Sequence, residues 1–298
     1  MKASKLYSVQ CISPVHIGTG QGVGVIDMPM MRERVTEWPL IPGSSMKGAR
    51  RDDYTRKGRP EAWLHAAFGK GGDQDGNAGA IVFSDCRIFA FPLASRCGVF
   101  AYVTCPLAID RLSRDAAAVG CRIPAADVAE WRSILDQGHG HSGPVIVGSE
   151  SVVVHEGNVI IDEFQFQAEE CASFGEWAGR IAAQLGMDSS SLAQRLVLVS
   201  DEAFHYFATM CCEITPRIRI DSETSTVKDG ALWYEEYLPA ETIMYGIVWC
   251  DRIPGVSPSL TTSGLLDEVA GEVVMQIGGN TSVGKGLVKC AYVKEGER

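Results

Sequence analysis

Hydrophobic and polar positions alternate near both ends of the chain, and this pattern predicts a sheet built from segments far apart in sequence. The first third predicts a strand, a helix and two aromatic-rich strands, and the last third a strand, a helix and a strand. Together they predict an α+β fold with a ferredoxin-like βαββαβ sheet. The predicted elements are strand 5–12, helices 45–57 and 61–68, a flexible loop at 69–79, strands 80–91 and 98–105, strand 242–251, helix 263–277 and strand 287–293.

The middle of the chain predicts a large, mainly helical insertion and a protruding hairpin. Residues 213–220 alternate like a strand and 231–238 return across a polar turn, so 213–239 predict a long hairpin with a mobile tip. No low-complexity linker interrupts the chain, which predicts a single domain over 1–298 with insertions. The predicted insertion contains helices 106–119, 124–136, 173–185 and 191–210, the last restarting at an N-cap near Ser200, and a hairpin at 151–166 that turns at 156–158.

The stretch from Ser13 to Arg51 combines residues that few structural roles explain together. His16 precedes four glycines at alternate positions, which allow close backbone approach, and Asp27 follows them. An ordinary interpretation makes His16 a structural histidine and Asp27 a turn residue; beside a phosphate-binding surface, Asp27 can instead hold a cation or orient a nucleophile. The segment 41–45 then predicts a turn into a helix capped by a serine, with cations in the first turns, as expected where an anion binds. The residues of this helix start are Ser44, Ser45, Lys47, Arg50 and Arg51.

Charge and cysteine content change this picture only locally. The net charge of −10 argues weakly against nucleic acid, but between Lys47 and Arg59 six basic residues stand against two acidic ones. Ten scattered cysteines without a CxxC pair indicate reduced thiols. The sequence contains no membrane-spanning apolar run and no signal peptide, so we expect a cytoplasmic protein without a membrane partner.

A glycine-rich segment near the C-terminus, IGGNTSVGKGLV, has three interpretations. Its spacing fits the start of a P-loop, but Gly286 stands where a magnesium-binding Ser or Thr belongs, and too few residues follow for a nucleotide-binding sheet. The alternatives are a plain turn or a backbone cradle for a phosphodiester chain, which the composition favours. The residues of this cradle are Gly279, Asn280, Thr281, Ser282, Gly284 and Lys285.

Other candidate chemistry lies in the returning strand of the hairpin and in one loop. In LWYEEYLP, Glu235 and Tyr237 are two residues apart and therefore point to one side of a strand. The aromatic residues are either an ordinary strand face or a surface that stacks on bases. His139 and His141 are two metal-ligand candidates in a glycine-rich loop, too few for a complete site. No GxSxG motif supports a serine hydrolase.

The motifs HIGTG, IPGSSMKGARR, FSDCRIF, EEYLPAET and GGNTSVGKGLV together resemble the RAMP superfamily. More closely, the chain resembles the backbone subunit of the type III-B CRISPR (Cmr) effector complex, the fourth Cmr subunit. The resemblance implies an RRM-like palm with a thumb hairpin. It also implies head-to-tail stacking of copies along a CRISPR RNA, contacts with other Cmr subunits, and thumbs that wedge into the guide–target duplex.

The resemblance further implies antiviral cleavage of target RNA at regular intervals with a divalent cation, Mg²⁺ or Mn²⁺. Asp27 corresponds to the family's catalytic, metal-binding aspartate, and His16, Glu235 and Tyr237 to supporting catalytic residues. Lys47 with its neighbours and the Gly279–Gly286 turn correspond to contacts with the guide backbone. Two alternatives stay open: a purely structural RNA-binding subunit, and a RAMP nuclease that processes CRISPR transcripts.

Overall fold

The computed structural model describes residues 3–20, 22, 24–71, 76–137, 143–221, 223, 225–253 and 261–293. Its elements form one large mixed sheet, two small two-stranded sheets and helices on both faces of the large one. No helix among the described residues combines the length and hydrophobicity needed to span a bilayer.

The first half of the chain contributes strands to the ferredoxin-like part of the large sheet, called the palm, and begins the insertion. Its elements are β1 (Ala3–Cys11), α1 (Gly43–Arg56), α2 (Glu61–Phe68), β2 (Gly69–Lys70), β3 (Asn77–Ala78), β4 (Ile81–Phe83), β5 (Arg87–Ala94), β6 (Phe100–Thr104), α3 (Pro106–Ala118), α4 (Val128–Leu135) and β7 (Val145–Val147).

The second half completes the insertion, forms the hairpin and returns to the palm. Its elements are β8 (Val154–His155), β9 (Asn158–Ile161), β10 (Phe164–Glu170), α5 (Ala172–Gln184), α6 (Ser189–Arg195), β11 (Leu196–Leu198), α7 (Asp201–Met210), β12 (Glu213–Ile220), β13 (Val227–Tyr237), β14 (Ile243–Cys250), α8 (Thr262–Val269), β15 (Val273–Gln276), a short 3-10 helix (Thr281–Val283) and β16 (Leu287–Tyr292).

The palm has the strand order of a ferredoxin-like fold, as predicted. The order β16-β1-β14-β5 is the 4-1-3-2 order of a βαββαβ unit, with α1 and α8 as its two crossover helices. β1 pairs antiparallel with both β14 and β16, so segments from the start, middle and end of the chain share one sheet. The insertion leaves after β5 and returns before β14.

The insertion extends the palm sheet instead of forming a separate domain. β5 also pairs with β6, and the sheet continues through β11, β7, β10, β9 and β8. Both faces of β1 are buried because side chains alternate along a strand: Tyr7 and Val9 lie in one apolar cluster and Leu6 in the other. The second cluster includes Ile109 of α3 and Trp177 of α5, so the insertion helices cover the face opposite α1.

The hairpin of β12 and β13, called the thumb from here on, has two different faces. Cross-strand partners such as Ile218 and Leu232 share one face, and each keeps about half of its surface exposed. Trp233 and Arg217 are partners on the other face, together with Glu235. The apolar face comprises Ile214, Pro216, Ile218, Ile220, Leu232 and Tyr234.

Several predicted elements differ from the structure. The helix predicted at 263–277 ends at Val269, and Val273–Gln276 pair with β16 as a strand. The helix predicted at 191–210 contains the buried strand β11 between two short helices, although Ser200 does cap the second one through Ala203 N. The loop predicted at 69–79 contains a short ladder of β2 and β3.

Candidate functional site

Glu235 and Tyr237 lie at the base of the thumb on one side of β13, as their two-residue spacing predicts, and they share a hydrogen bond. The Tyr237 hydroxyl donates to Glu235 Oε2, and Trp233 Nε1 donates to Oε1 at 2.8 Å. Asn280 Nδ2 donates to the same Glu235 Oε2 at 2.8 Å and lies 2.9 Å from the Tyr237 hydroxyl oxygen. The cluster therefore joins the thumb base to the glycine-rich turn.

Burial and charge shift the two pKa values in this cluster in opposite directions. Burial alone would raise the pKa of Glu235, but hydrogen bonds from Tyr237 and Trp233 and the charge of Arg217 outweigh it, and the pKa lies below its ordinary value. Burial and the adjacent Glu235 carboxylate raise the pKa of Tyr237 to about 12. Glu235 is thus ionised and Tyr237 protonated at neutral pH. The side chain of Tyr237 is fully buried, so its proton holds Glu235 instead of facing solvent.

His16 lies against the same cluster and is held by backbone contacts. Its Nδ1 is 2.6 Å from the carbonyl oxygen of Glu236, which can only accept, so Nδ1 carries a proton. Its ring lies 5.3 Å from that of Tyr237, and its carbonyl oxygen accepts from Gly279 N at 3.0 Å. A Cβ at Gly18 would lie 2.8 Å from His16 Nε2, so the glycine leaves space for the ring. His16 is 5% exposed, and Nε2 is the ring nitrogen left for further chemistry.

Asp27 lies on a loop that docks on the thumb along β13, where the next residue, Met28, forms a β-bridge with Glu235. Asp27 Oδ2 accepts from Tyr234 N at 2.8 Å, and Met28 exchanges backbone hydrogen bonds with Tyr234 and Glu236. Tyr234 and Tyr237 are three residues apart on one strand, which corresponds to about 10 Å. Asp27 is exposed, and its Oδ1 has no partner within the described part of the chain.

The glycine-rich turn is shaped by its fit against the His16 segment. Gly278 has φ +75°, and a Cβ there would lie 2.2 Å from the His16 carbonyl oxygen. Asn280 is left-handed, while Thr281, Ser282 and Gly284 are exposed and Lys285 is half-buried. Lys285 Nζ lies 4.8 Å from the centre of the Tyr237 ring. This predicted guide-binding turn therefore contacts the predicted cleavage residues directly, and Asn280 belongs to both groups.

The start of α1 differs from the predicted anion site. Pro42 is the N-cap, and neither Ser44 nor Ser45 caps the helix with its side chain. Gly43 N donates to Asp85 Oδ1 at 2.8 Å, so a carboxylate of the chain itself occupies the helix N-terminus. Gly43 is needed because a Cβ would lie 2.1 Å from the Phe83 carbonyl oxygen. The prediction of a serine cap is wrong, and the anion that compensates this helix end is Asp85.

Arg50 is buried and stabilises the fold instead of facing a ligand. It is 1% exposed, and its guanidinium donates to the carbonyl oxygens of Val269 and Gly271 at the end of α8. The cation sits in the middle of its own helix but at the C-terminus of α8, where the helix dipole favours it. The prediction of Arg50 as an RNA contact is therefore corrected to a cap for α8.

Lys47 and Arg51 are the cations of the predicted basic helix start that keep solvent access. Both are half-buried and lie one turn apart on α1. Partial burial and the adjacent Arg51 charge lower the pKa of Lys47. Arg51 donates to the Gly69 carbonyl oxygen at 2.9 Å, whereas no carboxylate of the described part pairs with Lys47. A phosphate group beside Lys47 would relieve this repulsion.

Glu236 and Arg32 are the site residues that the sequence did not reveal. Glu236 is adjacent to a predicted site residue but points to the opposite face of β13, where Arg32 Nη2 lies 2.5 Å from its Oε1. Glu236 is 4% exposed. The motif EEYLP contains two adjacent glutamates, and adjacent residues of a strand point to opposite faces. A glutamate at a buried strand position is rarely unpaired, so the second glutamate could have predicted a basic partner.

The described residues contain no group of three or more His, Cys, Asp or Glu side chains arranged to hold a metal ion. His139 and His141 lie outside the described residues. Asp27 thus provides one exposed carboxylate and no preformed set of ligands. A Mg²⁺ or Mn²⁺ ion at Asp27 would have to take its other ligands from RNA and water, a mode that Mg²⁺ uses with phosphate substrates.

Comparison with known proteins identifies the family. The model of the RAMP superfamily matches residues 8–289. A Pyrococcus furiosus protein named CRISPR system Cmr endoribonuclease Cmr4 is 32% identical over 294 residues, covering 95% of this chain and 94% of that protein. A Saccharolobus solfataricus protein named CRISPR system CMR subunit Cmr4 is 21% identical, covering 98% and 97%.

Solved structures agree with this assignment at the level of the fold. The structure of oligomeric Cmr4 from Pyrococcus furiosus has a TM-score of 0.72 at 24% identity and covers 99% of both chains. A chain of the type III-B Cmr-beta complex bound to cognate target RNA has a TM-score of 0.68 at 20% identity, covering 97% of both. The resemblance of the sequence motifs is confirmed: the chain belongs to the RAMP superfamily and, within it, to the Cmr4 family.

Proposed function

We propose that this protein is the backbone subunit of a type III-B CRISPR complex and the endoribonuclease that cuts its target RNA at regular intervals. The support is membership of the Cmr4 family, in which the 32% identical relative is named an endoribonuclease. The cleavage role is inferred from the exposed Asp27 carboxylate, whose Oδ2 accepts a hydrogen bond from Tyr234 N and whose Oδ1 is available to the substrate.

Asp27 orients the attacking oxygen, which is the 2′-hydroxyl of the target nucleotide itself. Its carboxylate accepts a hydrogen bond from this hydroxyl and favours loss of its proton. The 2′-oxygen gives its proton to the Asp27 carboxylate and bonds to phosphorus as the bond to the 5′-oxygen breaks. The leaving 5′-oxygen takes a proton from solvent water and Asp27 returns its proton to solvent, so the products are a 2′,3′-cyclic phosphate and a 5′-hydroxyl. A divalent cation bound by Asp27 and the RNA phosphates would supply charge stabilisation for the phosphoryl oxygens.

His16, Glu235 and Tyr237 hold the structure around Asp27 in place and do not contact the substrate directly. Tyr237 is fully buried and its hydroxyl is engaged by Glu235, while His16 is held through Nδ1 and its own carbonyl group. Together they fix the base of the thumb against the glycine-rich turn. Their loss would misplace the thumb and Asp27 relative to each other, and misplacement by about 1 Å is sufficient to slow a reaction strongly.

The guide RNA is held through Lys47, Arg51 and the exposed part of the glycine-rich turn. Lys47 is a partly buried cation without an acidic partner in the described part, and Thr281, Ser282 and Gly284 expose backbone and hydroxyl groups beside Lys285. Copies of the chain associate head to tail along the guide, together with other Cmr subunits, in the cytoplasm. The relative crystallised as an oligomer supports this self-association.

The decisive experiment replaces Asp27 in the reconstituted complex with guide RNA. Asp27→Asn keeps an acceptor for Tyr234 N and removes the charge, and we expect it to abolish evenly spaced cutting of labelled target while guide and target binding persist. Glu130→Ala, at an exposed position of α4 outside the site, is the control and should cut normally. Undiminished cutting by Asp27→Asn would refute the assignment. A wild-type complex that binds target but does not cut would identify a purely structural subunit, and cutting of CRISPR transcripts without filament formation would identify a processing nuclease.

A further inference from the structure

The segment that carries Asp27 is a closed loop with a defined stem. Ile17 O accepts from Met31 N at 2.8 Å and Thr19 N donates to Pro29 O at 3.3 Å, so residues 17–19 and 29–31 face each other. Gly22 N donates to the Asp27 carbonyl oxygen at 2.8 Å near the tip. Within the described residues this loop, called the Asp27 loop here, has its position set by contacts with β13.

A single residue of β13, Glu236, makes four of these contacts. Its backbone N donates to Met28 O at 3.0 Å, and its carbonyl oxygen accepts from His16 Nδ1 at 2.6 Å. Its side-chain Oε2 accepts from Met30 N at 2.8 Å, and Oε1 accepts from Arg32 Nη2 at 2.5 Å. Every polar group of Glu236 is therefore bonded to the segment between His16 and Arg32.

Arg32 connects the same carboxylate to the root of the thumb. Its guanidinium also donates to the carbonyl oxygens of Ala208 and Thr209, at the C-terminal end of α7, and to that of Glu37. α7 leads directly into β12, so Arg32 fixes the helix from which the thumb begins. Glu236 is buried and Arg32 is partly exposed, and a charge pair with this many hydrogen bonds favours one geometry because any other arrangement leaves the buried Glu236 charge unpaired.

We propose that Glu236, paired with Arg32, is a positioning residue that locks the Asp27 loop to the thumb. The thumb and the Asp27 carboxylate then move together, so Asp27 reaches the RNA only when the thumb is in its docked position. This inference rests on the proposed role of Asp27 in cleavage. Glu236 touches no reacting atom; it acts through Met30 and Arg32, on the face of β13 opposite Glu235 and Tyr237.

The test compares Glu236→Gln with Glu33→Gln in the complete guide-bound complex. Gln at 236 keeps the size of the side chain but cannot satisfy both Met30 N and the Arg32 charge. Glu33 is an acid of the same segment that pairs with Arg87 and Arg111 instead of the thumb, so Glu33→Gln is the matched control. The measurements are hydrogen exchange of the Met30 amide, target affinity, and the cutting rate at saturating target.

We expect Glu236→Gln to speed Met30 exchange and to slow cutting at saturating target, each by about tenfold or more, since a hydrogen bond to a charged group is lost. Target affinity should stay within about twofold, because a change confined to positioning alters the rate of the bound state. Glu33→Gln should leave both exchange and cutting near wild type.

Unchanged exchange, unchanged cutting, or equal effects of both variants would overturn the proposal. Glu236→Gln leaves the Arg32 charge unpaired, and if this variant fails to assemble, the double variant Arg32→Gln/Glu236→Gln is tested in its place because it removes both charges. We expect the same faster Met30 exchange and slower cutting from the double variant. If the wild-type complex does not cut, the proposed function fails, and Met30 exchange alone then decides whether Glu236 holds the loop.

Discussion

Two cations of α1, Lys47 and Arg50, lie three residues apart but differ in their exposure to solvent. Lys47 keeps solvent access and has no acidic partner among the described residues, whereas Arg50 is buried against the carbonyl groups that end α8. Tyr54, on the same helix, also donates to α8, through the Glu268 carbonyl oxygen at 2.5 Å. Basic residues on one helix thus have two environments: Lys47 is partly exposed to solvent, and Arg50 joins α1 to α8.

Replacing these two cations separates RNA binding from stability. Lys47→Ala should reduce the slope of log affinity for guide RNA against log salt by about 1, since one phosphate contact is lost. Arg50→Met should leave that slope unchanged but lower the free energy of unfolding by about 3 kcal/mol, because the Asp53 carboxylate and the carbonyl groups at the end of α8 lose the cation that pairs with them. Titrations of guide RNA at several salt concentrations and urea unfolding measure the two effects. A slope reduced equally by both variants would contradict the separation.

Among the elements, the glycine-rich turn packs closely against the backbone of the His16 segment at Gly278. Gly278 and Gly284 have nearly equal φ values, +75° and +77°, but different surroundings. A Cβ at Gly278 would collide with the His16 carbonyl oxygen, whereas one at Gly284 would meet nothing within 4 Å. The pair therefore separates the cost of a left-handed backbone from the cost of moving the turn away from His16.

Alanine at these two glycines should destabilise the protein unequally. Gly284→Ala should cost about 1 kcal/mol, the price of the left-handed conformation alone. Gly278→Ala should cost about 1–3 kcal/mol more, because the turn must shift. Urea unfolding measures both, and equal costs would show that the turn does not depend on its contact with His16.

The sequence predicted the elements whose signals are local. The strand period placed Glu235 and Tyr237 on one face, and the order of elements predicted the ferredoxin-like palm. β15 was missed because a four-residue apolar run after a helix carries no period of its own. The role of Arg50 could not be predicted, since its partners lie in α8, at the other end of the chain. Asp85 as the anion at α1 was hidden for the same reason.

For the whole molecule, net charge governs how copies approach each other. Each copy carries −10, so copies without RNA repel over the Debye length, while a guide RNA would bind a local basic surface. The exposed apolar face of the thumb adds surface that association can bury. Association is therefore opposed by charge and favoured by apolar contact.

Salt should consequently have opposite effects on association with and without guide RNA. Raising salt from about 50 to 300 mM should strengthen RNA-free self-association by screening. The same change should weaken assembly on guide RNA, because the counterions released on binding gain less entropy when the bulk salt concentration is higher. Sedimentation velocity at the two salt concentrations, with and without guide, measures both, and the same direction in both cases would contradict the role of net charge.

The large sheet ends in short strands, β15 with four residues at one edge and β8 with two at the other. A short edge offers few unpaired backbone groups to another chain. Neighbouring copies would therefore contact each other through helices, loops or thumbs, without backbone pairing between their sheets. In the head-to-tail stack proposed above, copies would join or leave while each one stays folded, so the length of the stack would follow the length of the RNA.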